Sequence, residues 1–222
     1  MKTAPARALI FDMDGTIVDN MRYHEAAWGR LLSEHGLPFD ADEFFRRTAG
    51  MASREILAPL FPEADEAKID ALGHDKELYY REAYGPHVAP LPGLLPLIAR
   101  ATSHGVPIAV ASAAPSGNID LVLDTLELRP FLKTIVAPSQ GYRGKPHPDL
   151  FLAAAERMGV VPEDCIVFED APNGIEAARR AGMRAVALTT MIEADSFAGF
   201  DNLVASAKDF TALDRLPVLQ FG

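Results

Sequence analysis

The chain has 222 residues, and 49% of them are hydrophobic, which is enough for one large domain or for a domain that carries a smaller insertion. Its formal net charge of −10 argues against nucleic acid and anionic membranes as partners, and no apolar run approaches the ~20 residues of a membrane span. The short polar start leaves no room for a signal peptide and the single cysteine excludes a disulfide framework, so we expect a cytoplasmic protein.

The first predicted strand, residues 8–11, is an apolar run that ends in two carboxylates, Asp12 and Asp14, followed by Gly15. Such a run is typical of a strand that is buried on both faces in a parallel sheet. Because side chains alternate along an extended backbone, the two carboxylates point to the same side, where like charges require a cation or a proton. A divalent metal would compensate them, although Asp and Gly are also ordinary turn residues, and a plain polar turn is the alternative.

Residues 19–88 have helical periodicity and no predicted strand. The predicted helices span residues 23–35, 41–47, 53–60 and 67–84. Because this block directly follows the first strand, we interpret residues 19–88 as an all-helical domain inserted into an α/β domain made of residues 1–18 and 89–222.

From about residue 93 onward, short apolar runs alternate with helical segments, the pattern of repeated βα units over a mostly parallel sheet. The predicted strands span residues 106–112, 134–137, 165–168 and 184–188, and the predicted helices span residues 94–103, 118–126, 149–158 and 174–181. The sequence thus predicts an α/β fold with a Rossmann-like, doubly wound, mostly parallel sheet. Cys165 begins one of these strands, where a buried structural thiol is the expected role.

Polar side chains follow consecutive predicted strands, and ligands of open α/β sheets bind outside the carboxyl ends of the strands. Ser112 ends the second strand, Lys145 follows the third, and Glu169 and Asp170 follow the fourth. With the two carboxylates after the first strand, this set provides the nucleophile, proton donor and charge-neutralising groups that phosphoryl transfer needs. Hard oxygen ligands favour Mg²⁺ over softer metals. Singly, each residue could also be a turn cap or a solvated surface charge.

Three long strings in this order, with Ser112 between the first two, resemble the four motifs of the haloacid dehalogenase superfamily. The strings are Phe11-Asp12-Met13-Asp14-Gly15-Thr16-Ile17-Val18-Asp19, Gly144-Lys145-Pro146-His147-Pro148-Asp149 and Phe168-Glu169-Asp170-Ala171-Pro172-Asn173-Gly174. The helical insertion resembles the C1 cap domain of subfamily I. The overall pattern is similar to the β-phosphoglucomutase-like branch, which includes many sugar-phosphate phosphatases.

The resemblance implies a role for each motif residue. Asp12 would attack phosphorus to form an aspartyl-phosphate, and Asp14 would protonate the leaving oxygen and then activate water. The carboxylates of Asp12 and Asp170 and the backbone carbonyl of Asp14 would hold Mg²⁺, with Glu169 contributing directly or through water. Lys145 and Ser112 would hold the phosphoryl group.

The resemblance also implies substrate-binding positions. In the α/β domain these are Thr16, near the active-site loop, and Ala113, where small residues leave backbone N–H groups accessible. In the cap they are Asn20, His24, Trp28, Arg54 and Lys76, of which the last two require gapped matching. The spacing of His24 and Trp28 also fits an ordinary apolar stripe on a helix, which is the alternative interpretation.

The sequence departs from the mutase pattern at two phosphate-binding positions. Ala49 stands where a basic residue would precede Gly50, and Pro115 stands where mutases carry a lysine. We therefore expect a monomeric, Mg²⁺-dependent phosphatase of a small phosphorylated metabolite, with a phosphosugar mutase as the alternative. A phosphonatase using Lys68 or Lys76 for a Schiff base and a phospho-accepting receiver are further alternatives, whereas Asp14 argues against a dehalogenase.

Overall fold

The structure, a computed structural model, describes residues 4–48, 51 and 53–221. The chain divides into two compact units, one formed by Met1–Asp19 with Ala89–Gly222 and the other by Asn20–Val88. No helix within the described ranges is both long enough and apolar enough to cross a membrane.

The first unit is built on a six-stranded sheet within the described residues. Its strands are β1 Ala8–Phe11, β2 Ile108–Ala111, β3 Thr134–Val136, β4 Cys165–Glu169, β5 Arg184–Leu188 and β6 Leu203–Ala207. The strand order is β3-β2-β1-β4-β5-β6, and every pairing is parallel. This arrangement confirms the predicted α/β fold class and places β1 in the middle of the sheet, next to the strands that carry the other motifs.

Eight α-helices lie in the part of the chain that the structure describes. They are α1 Met21–Glu34, α2 Ala41–Thr48, α3 Ser53–Leu60, α4 Glu66–Tyr84, α5 Leu94–Ser103, α6 Ser116–Thr125, α7 Asp149–Met158 and α8 Pro172–Arg180. Their ends lie within two residues of the predicted ones. The first four helices form the second unit, and the last four belong to the first unit.

Strand β6 was not predicted from the sequence. It lies at the edge of the sheet, and most of its residues are only partly buried. An edge strand needs no continuous apolar run, and the short segment Leu203–Ala207 contains a serine and two alanines. The β5–β6 pairing also shifts register between Ala185 and Val186, which interrupts the regular alternation of side chains expected of a strand.

The two faces of the sheet differ in side-chain size, because residues alternate along each strand. One face presents Ala8 and Ile10 of β1 with Ala109 and Ala111 of β2; α7 packs against these two strands, and α8 packs against β4 and β5. On the other face, Phe11 and Phe168 stack with centroids 4.6 Å apart, and Phe210 contacts both rings. Cys165 is buried in the small-residue face, and burial raises the pKa of its thiol to about 12, which fits a structural role.

Register brings the carboxyl ends of the central strands level. Phe11 pairs with Val110 on one side and with Phe168 on the other. The backbone N–H of Asp12 continues the ladder by donating to the Phe168 carbonyl at 3.0 Å, and that of Ser112 donates to the Val136 carbonyl at 3.1 Å. The residues that follow each strand are therefore neighbours at one edge.

The helical unit has its own apolar core, which explains why residues 20–88 form a separate compact body. The core combines residues from α1, α3 and α4, namely Trp28, Leu31, Ile56, Leu57, Ile69 and Leu72. Helix α4 begins at a capped position, since the Asp65 side chain accepts a hydrogen bond from the Lys68 backbone nitrogen at 2.8 Å.

Gly93 and Gly105, at the two ends of α5, provide a matched test of backbone crowding in the first unit. Their φ angles of 82° and 69° impose on an alanine the left-handed strain of about 1–2 kcal/mol. A Cβ at Gly93 would also lie 2.6 Å from the Thr211 backbone nitrogen, whereas a Cβ at Gly105 would have no described atom of another segment within 4 Å. We expect Gly93→Ala to lower the free energy of unfolding by at least about 1 kcal/mol more than Gly105→Ala. Urea denaturation of both variants measures this, and equal losses would contradict it.

Candidate functional site

The loop after β1 is a tight turn closed on its own backbone. The Met13 carbonyl accepts hydrogen bonds from the backbone nitrogens of Thr16, Ile17 and Val18 at 3.2, 2.9 and 3.3 Å. Gly15 has a φ of 76°, and a Cβ there would lie 2.0 Å from Oδ2 of Asp170. Glycine is therefore required both by the turn and by the close approach of this carboxylate.

Lys145 joins two of the predicted acids. Its Nζ donates to Oδ1 of Asp12 in a short hydrogen bond and to Oε1 of Glu169 at 2.7 Å. The three side chains are at most 9% exposed, so this is a buried ionic centre. The second carboxylate oxygen of Glu169 accepts from the Ala171 backbone nitrogen at 2.8 Å, just before α8. The structure thus brings together Asp12 and Glu169, which lie 157 positions apart in the sequence.

Burial of several carboxylates in one place disturbs their protonation. Burial raises the pKa of Asp12 to about 7; Lys145 opposes this shift, while Glu169 and Asp14 add to it. The pKa of Asp170 is also raised well above its usual value, first by burial and then by Glu169 and Asp12. Burial alone would lower the pKa of the Lys145 ammonium, but the two neighbouring carboxylates outweigh it and raise that pKa.

Three of the acids could hold a metal ion. Asp12, Glu169 and Asp170 are all buried, and each offers a carboxylate oxygen within 4.8 Å of the others. When ionised they carry three negative charges against the single positive charge of Lys145, and repulsion from Glu169 adds to burial, the main cause, in raising the pKa values of Asp12 and Asp170. A hard divalent cation would balance this charge, so the residues present fit the predicted Mg²⁺.

The remaining predicted residues of the first unit lie on the same edge or beside it. Asp14 is half-buried, and its side-chain carboxylate is not part of the three-acid cluster. The metal ligand predicted for Asp14 is its backbone carbonyl, and this role stays a prediction. Ser112 is buried, and its Oγ accepts from the Ala114 backbone nitrogen at 3.1 Å. Ala113 is exposed, whereas Thr16 is fully buried and its hydroxyl has no hydrogen-bond partner among the described residues. Their roles stay predictions.

In the helical unit, three of the predicted residues form one buried polar cluster with Tyr80. The imidazole of His24 stacks on Tyr80, with centroids 3.9 Å apart, and Asn20 donates from Nδ2 to the Tyr80 hydroxyl at 2.6 Å. Lys76 Nζ lies 2.9 Å from His24 Nδ1. Because an ammonium has no acceptor, Nδ1 accepts this hydrogen bond.

Trp28 and Arg54 have different surroundings. Trp28 belongs to the apolar core of the helical unit, and its ring also lies 5.3 Å from Lys76 Nζ. Arg54 is half-exposed. Its Nη2 lies 3.0 Å from Oε1 of Glu66 and its Nη1 lies 3.6 Å from Oδ1 of Asp70, and both acids are on α4. Trp28 thus contributes to packing, and substrate binding by either residue stays a prediction.

Two contacts at these clusters were missed by the sequence analysis. Thr190 follows β5, and its hydroxyl donates to the Gly15 carbonyl at 2.6 Å, so it fastens the loop that carries Asp14. The rule that residues after strands form the site would have found it, had it been applied to the fifth strand. Oε1 of Glu77 lies 2.9 Å from Nζ of Lys76, and the Glu77 side chain is only 12% exposed. The sequence contained no signal for this pairing of adjacent residues.

The two departures from the mutase pattern are only partly visible in the structure. Ala49 lies outside the described residues. Pro115 is exposed and immediately precedes α6, where it supplies no side-chain hydrogen bond to the helix.

Comparisons with known proteins identify relatives over most of the chain. The profile of haloacid dehalogenase-like hydrolases matches residues 6–182. The chain is 32% identical over 205 residues to the validoxylamine A 7'-phosphate phosphatase of Streptomyces hygroscopicus subsp. limoneus, covering 92% of this chain and 94% of that protein. It is 38% identical over 180 residues to the fructose-1-phosphate phosphatase YqaB of Escherichia coli (strain K12), covering 80% and 94%.

A solved structure extends the comparison to the fold. The β-phosphoglucomutase of Clostridium difficile has a TM-score of 0.80 and 26% identity, covering 95% of this chain and 94% of that chain. The profile match and the two similar phosphatases together show that the chain belongs to the haloacid dehalogenase-like hydrolases, the family that its motifs predicted.

Proposed function

We propose that the protein is a Mg²⁺-dependent phosphatase that hydrolyses phosphomonoesters of small metabolites, with sugar phosphates as the substrate class. The observation that carries this proposal is the buried centre in which Lys145 bridges Asp12 and Glu169. The relatives support it, since one is named as a phosphatase of validoxylamine A 7'-phosphate and the other of fructose 1-phosphate.

In the first step, Asp12 is the nucleophile. A carboxylate oxygen of Asp12 forms a bond to phosphorus, and the bond between phosphorus and the leaving oxygen breaks. Asp14 donates a proton to that oxygen, so the product leaves as a neutral alcohol rather than as an alkoxide. Lys145 lowers the repulsion between the Asp12 carboxylate and the dianionic phosphoryl group, since its ammonium already contacts Asp12.

In the second step, the aspartyl-phosphate is hydrolysed. Asp14, now ionised, removes a proton from water, and the hydroxide oxygen bonds to phosphorus while the bond from Asp12 breaks. Inorganic phosphate leaves, and both carboxyl groups return to their starting states. Ser112 follows β2, the strand that pairs with β1, and its hydroxyl would donate a hydrogen bond to a phosphoryl oxygen.

The metal has a place in this proposal through the acids that would bind it. When present, Mg²⁺ would be held by Asp12, Asp170 and the Asp14 carbonyl, with Glu169 beside them, and would supply the positive charge that keeps these acids ionised and stabilises the phosphoryl oxygens.

Charge pairing in the helical unit favours hydrolysis over mutase chemistry. Two of the predicted substrate-binding residues in this unit are cations, Arg54 and Lys76. Arg54 is paired with Glu66 and Asp70, and Lys76 with the largely buried Glu77. The exposed Arg54 pairs are weak, but the buried Lys76–Glu77 pair leaves little net charge for a second phosphate. A phosphosugar mutase remains the second candidate, supported by the likeness to the solved β-phosphoglucomutase.

Asp12→Asn should lower kcat by more than about a thousandfold, because an amide cannot form the covalent intermediate. The fold should persist, since the amide is nearly isosteric with the carboxylate. Asp124→Asn, at an exposed position whose side chain forms an ion pair with Arg129, is the control and should retain full activity. Retention of more than about a tenth of the activity by Asp12→Asn would refute the proposed nucleophile.

Removal of divalent metal should abolish turnover. A bound metal ion contributes several kcal/mol to the transition state, so EDTA should lower kcat by at least about a hundredfold, and added Mg²⁺ should restore it. Release of inorganic phosphate from fructose 1-phosphate or another sugar monophosphate is the assay. Undiminished turnover in EDTA would contradict the metal requirement.

The two candidate functions predict different products from the same substrate. With β-glucose 1-phosphate, Mg²⁺ and a trace of glucose 1,6-bisphosphate, we expect inorganic phosphate to be the main product. Ala49 and Pro115 cannot supply the two charge-assisted hydrogen bonds to a second phosphate, each worth about 1.5–3 kcal/mol, so a bisphosphate would not be retained efficiently. Enzymatic assays for phosphate and for glucose 6-phosphate separate the outcomes, and efficient formation of glucose 6-phosphate would establish the mutase instead.

A further inference from the structure

Gly174, in the first turn of α8, occupies a position where a side chain has no room. A Cβ built there would lie 1.8 Å from Oε1, 1.9 Å from Cδ and 2.5 Å from Oε2 of Glu169. All three distances are far shorter than any contact that a real Cβ makes. The Glu169 carboxylate therefore fills the space that the side chain of any other residue would occupy at this point of the helix.

The carboxylate in this position makes two hydrogen bonds that define it. Oε2 accepts from the Ala171 backbone nitrogen at 2.8 Å, at the start of α8, where the helix dipole favours negative charge. Oε1 accepts from Lys145 Nζ at 2.7 Å, and the same Nζ contacts Asp12. A displacement of the Glu169 carboxylate would therefore alter the position of Lys145 relative to Asp12.

We propose that Gly174 is a positioning residue, whose missing side chain allows Glu169 to hold Lys145 against Asp12. This inference deepens the proposed phosphatase function and rests on it for its effect on catalysis. The geometry distinguishes this role from a general need for glycine in the helix. The atoms in the way belong to the end of the Glu169 side chain and not to the backbone, so an added methyl group displaces this carboxylate first.

The test is a double-mutant cycle between Gly174→Ala and Glu169→Ala. In the wild-type background, Gly174→Ala should lower kcat by about tenfold or more, because a misplacement of about 1 Å in a catalytic group can cost a hundredfold. In the Glu169→Ala background the obstructing carboxylate is absent, so adding Gly174→Ala should change kcat by less than about twofold. Equal fold-losses in both backgrounds would overturn the proposal.

The same cycle measured by urea denaturation does not depend on activity. Gly174→Ala should lower the urea midpoint when Glu169 is present and should leave it unchanged or raise it when residue 169 is alanine, since alanine favours a helix over glycine. If Gly174→Ala alone fails to fold, recovery of folding in the double variant supports the proposal, and failure of both overturns it. A coupled midpoint without phosphatase activity in any variant would contradict the proposed function but not the steric role.

Gly73→Ala is the matched control. Gly73 lies within α4, and a Cβ there would be 3.7 Å from Leu57 and 4.0 Å from Ser53, which are ordinary contacts. This variant should keep its kcat and should not lower the urea midpoint. Losses equal to those of Gly174→Ala would show that any helical glycine is equally sensitive and would overturn the proposal.

Discussion

The site depends on the burial of three carboxylates around one ammonium group. Burial is the main cause of the raised pKa values of Asp12 and Asp170, and repulsion from the neighbouring carboxylate of Glu169 adds to it. The sheet keeps the carboxylates together because the backbone of Asp12 is hydrogen-bonded to β4 and the stacked rings of Phe11 and Phe168 fix both strands immediately before the acids. The apolar core therefore holds in place a charge cluster that is unfavourable without a cation.

Close packing of the acids requires two positions without side chains. The carboxylate of Asp170 occupies the space that a Cβ at Gly15 would need, and the carboxylate of Glu169 occupies the space that a Cβ at Gly174 would need. In each case the glycine lies on a different segment from the acid, namely the loop after β1 or the first turn of α8. Each of the two adjacent acids at the end of β4 thus lies against a backbone position that has no Cβ, and each has a carboxylate oxygen within 4.8 Å of one of Asp12.

Most of the fold and the charged residues of the site could be predicted from the sequence, because both depend on local patterns. Apolar runs define buried strands, and parallel strands place their carboxyl ends at one edge, so Asp12, Lys145 and Glu169 were expected to meet. The edge strand β6 lacked such a run. The contact of Thr190 with the Gly15 carbonyl joins residues 175 positions apart, and no spacing along the chain predicts it. The fit of Glu169 against Gly174 is local in the sequence, but it depends on the conformation of the Glu169 side chain, which the sequence does not show.

The helical unit shows the limit of inference from motif residues alone. The charge that Lys76 presents is set by Glu77, and that of Arg54 by Glu66 and Asp70, so the presence of a cation in the sequence does not establish an anion-binding position. A buried ammonium paired with a carboxylate can still donate hydrogen bonds, which suits hydroxyl groups better than a second dianion. Within the helical unit, the acids of α4 therefore determine how much net positive charge Lys76 and Arg54 present.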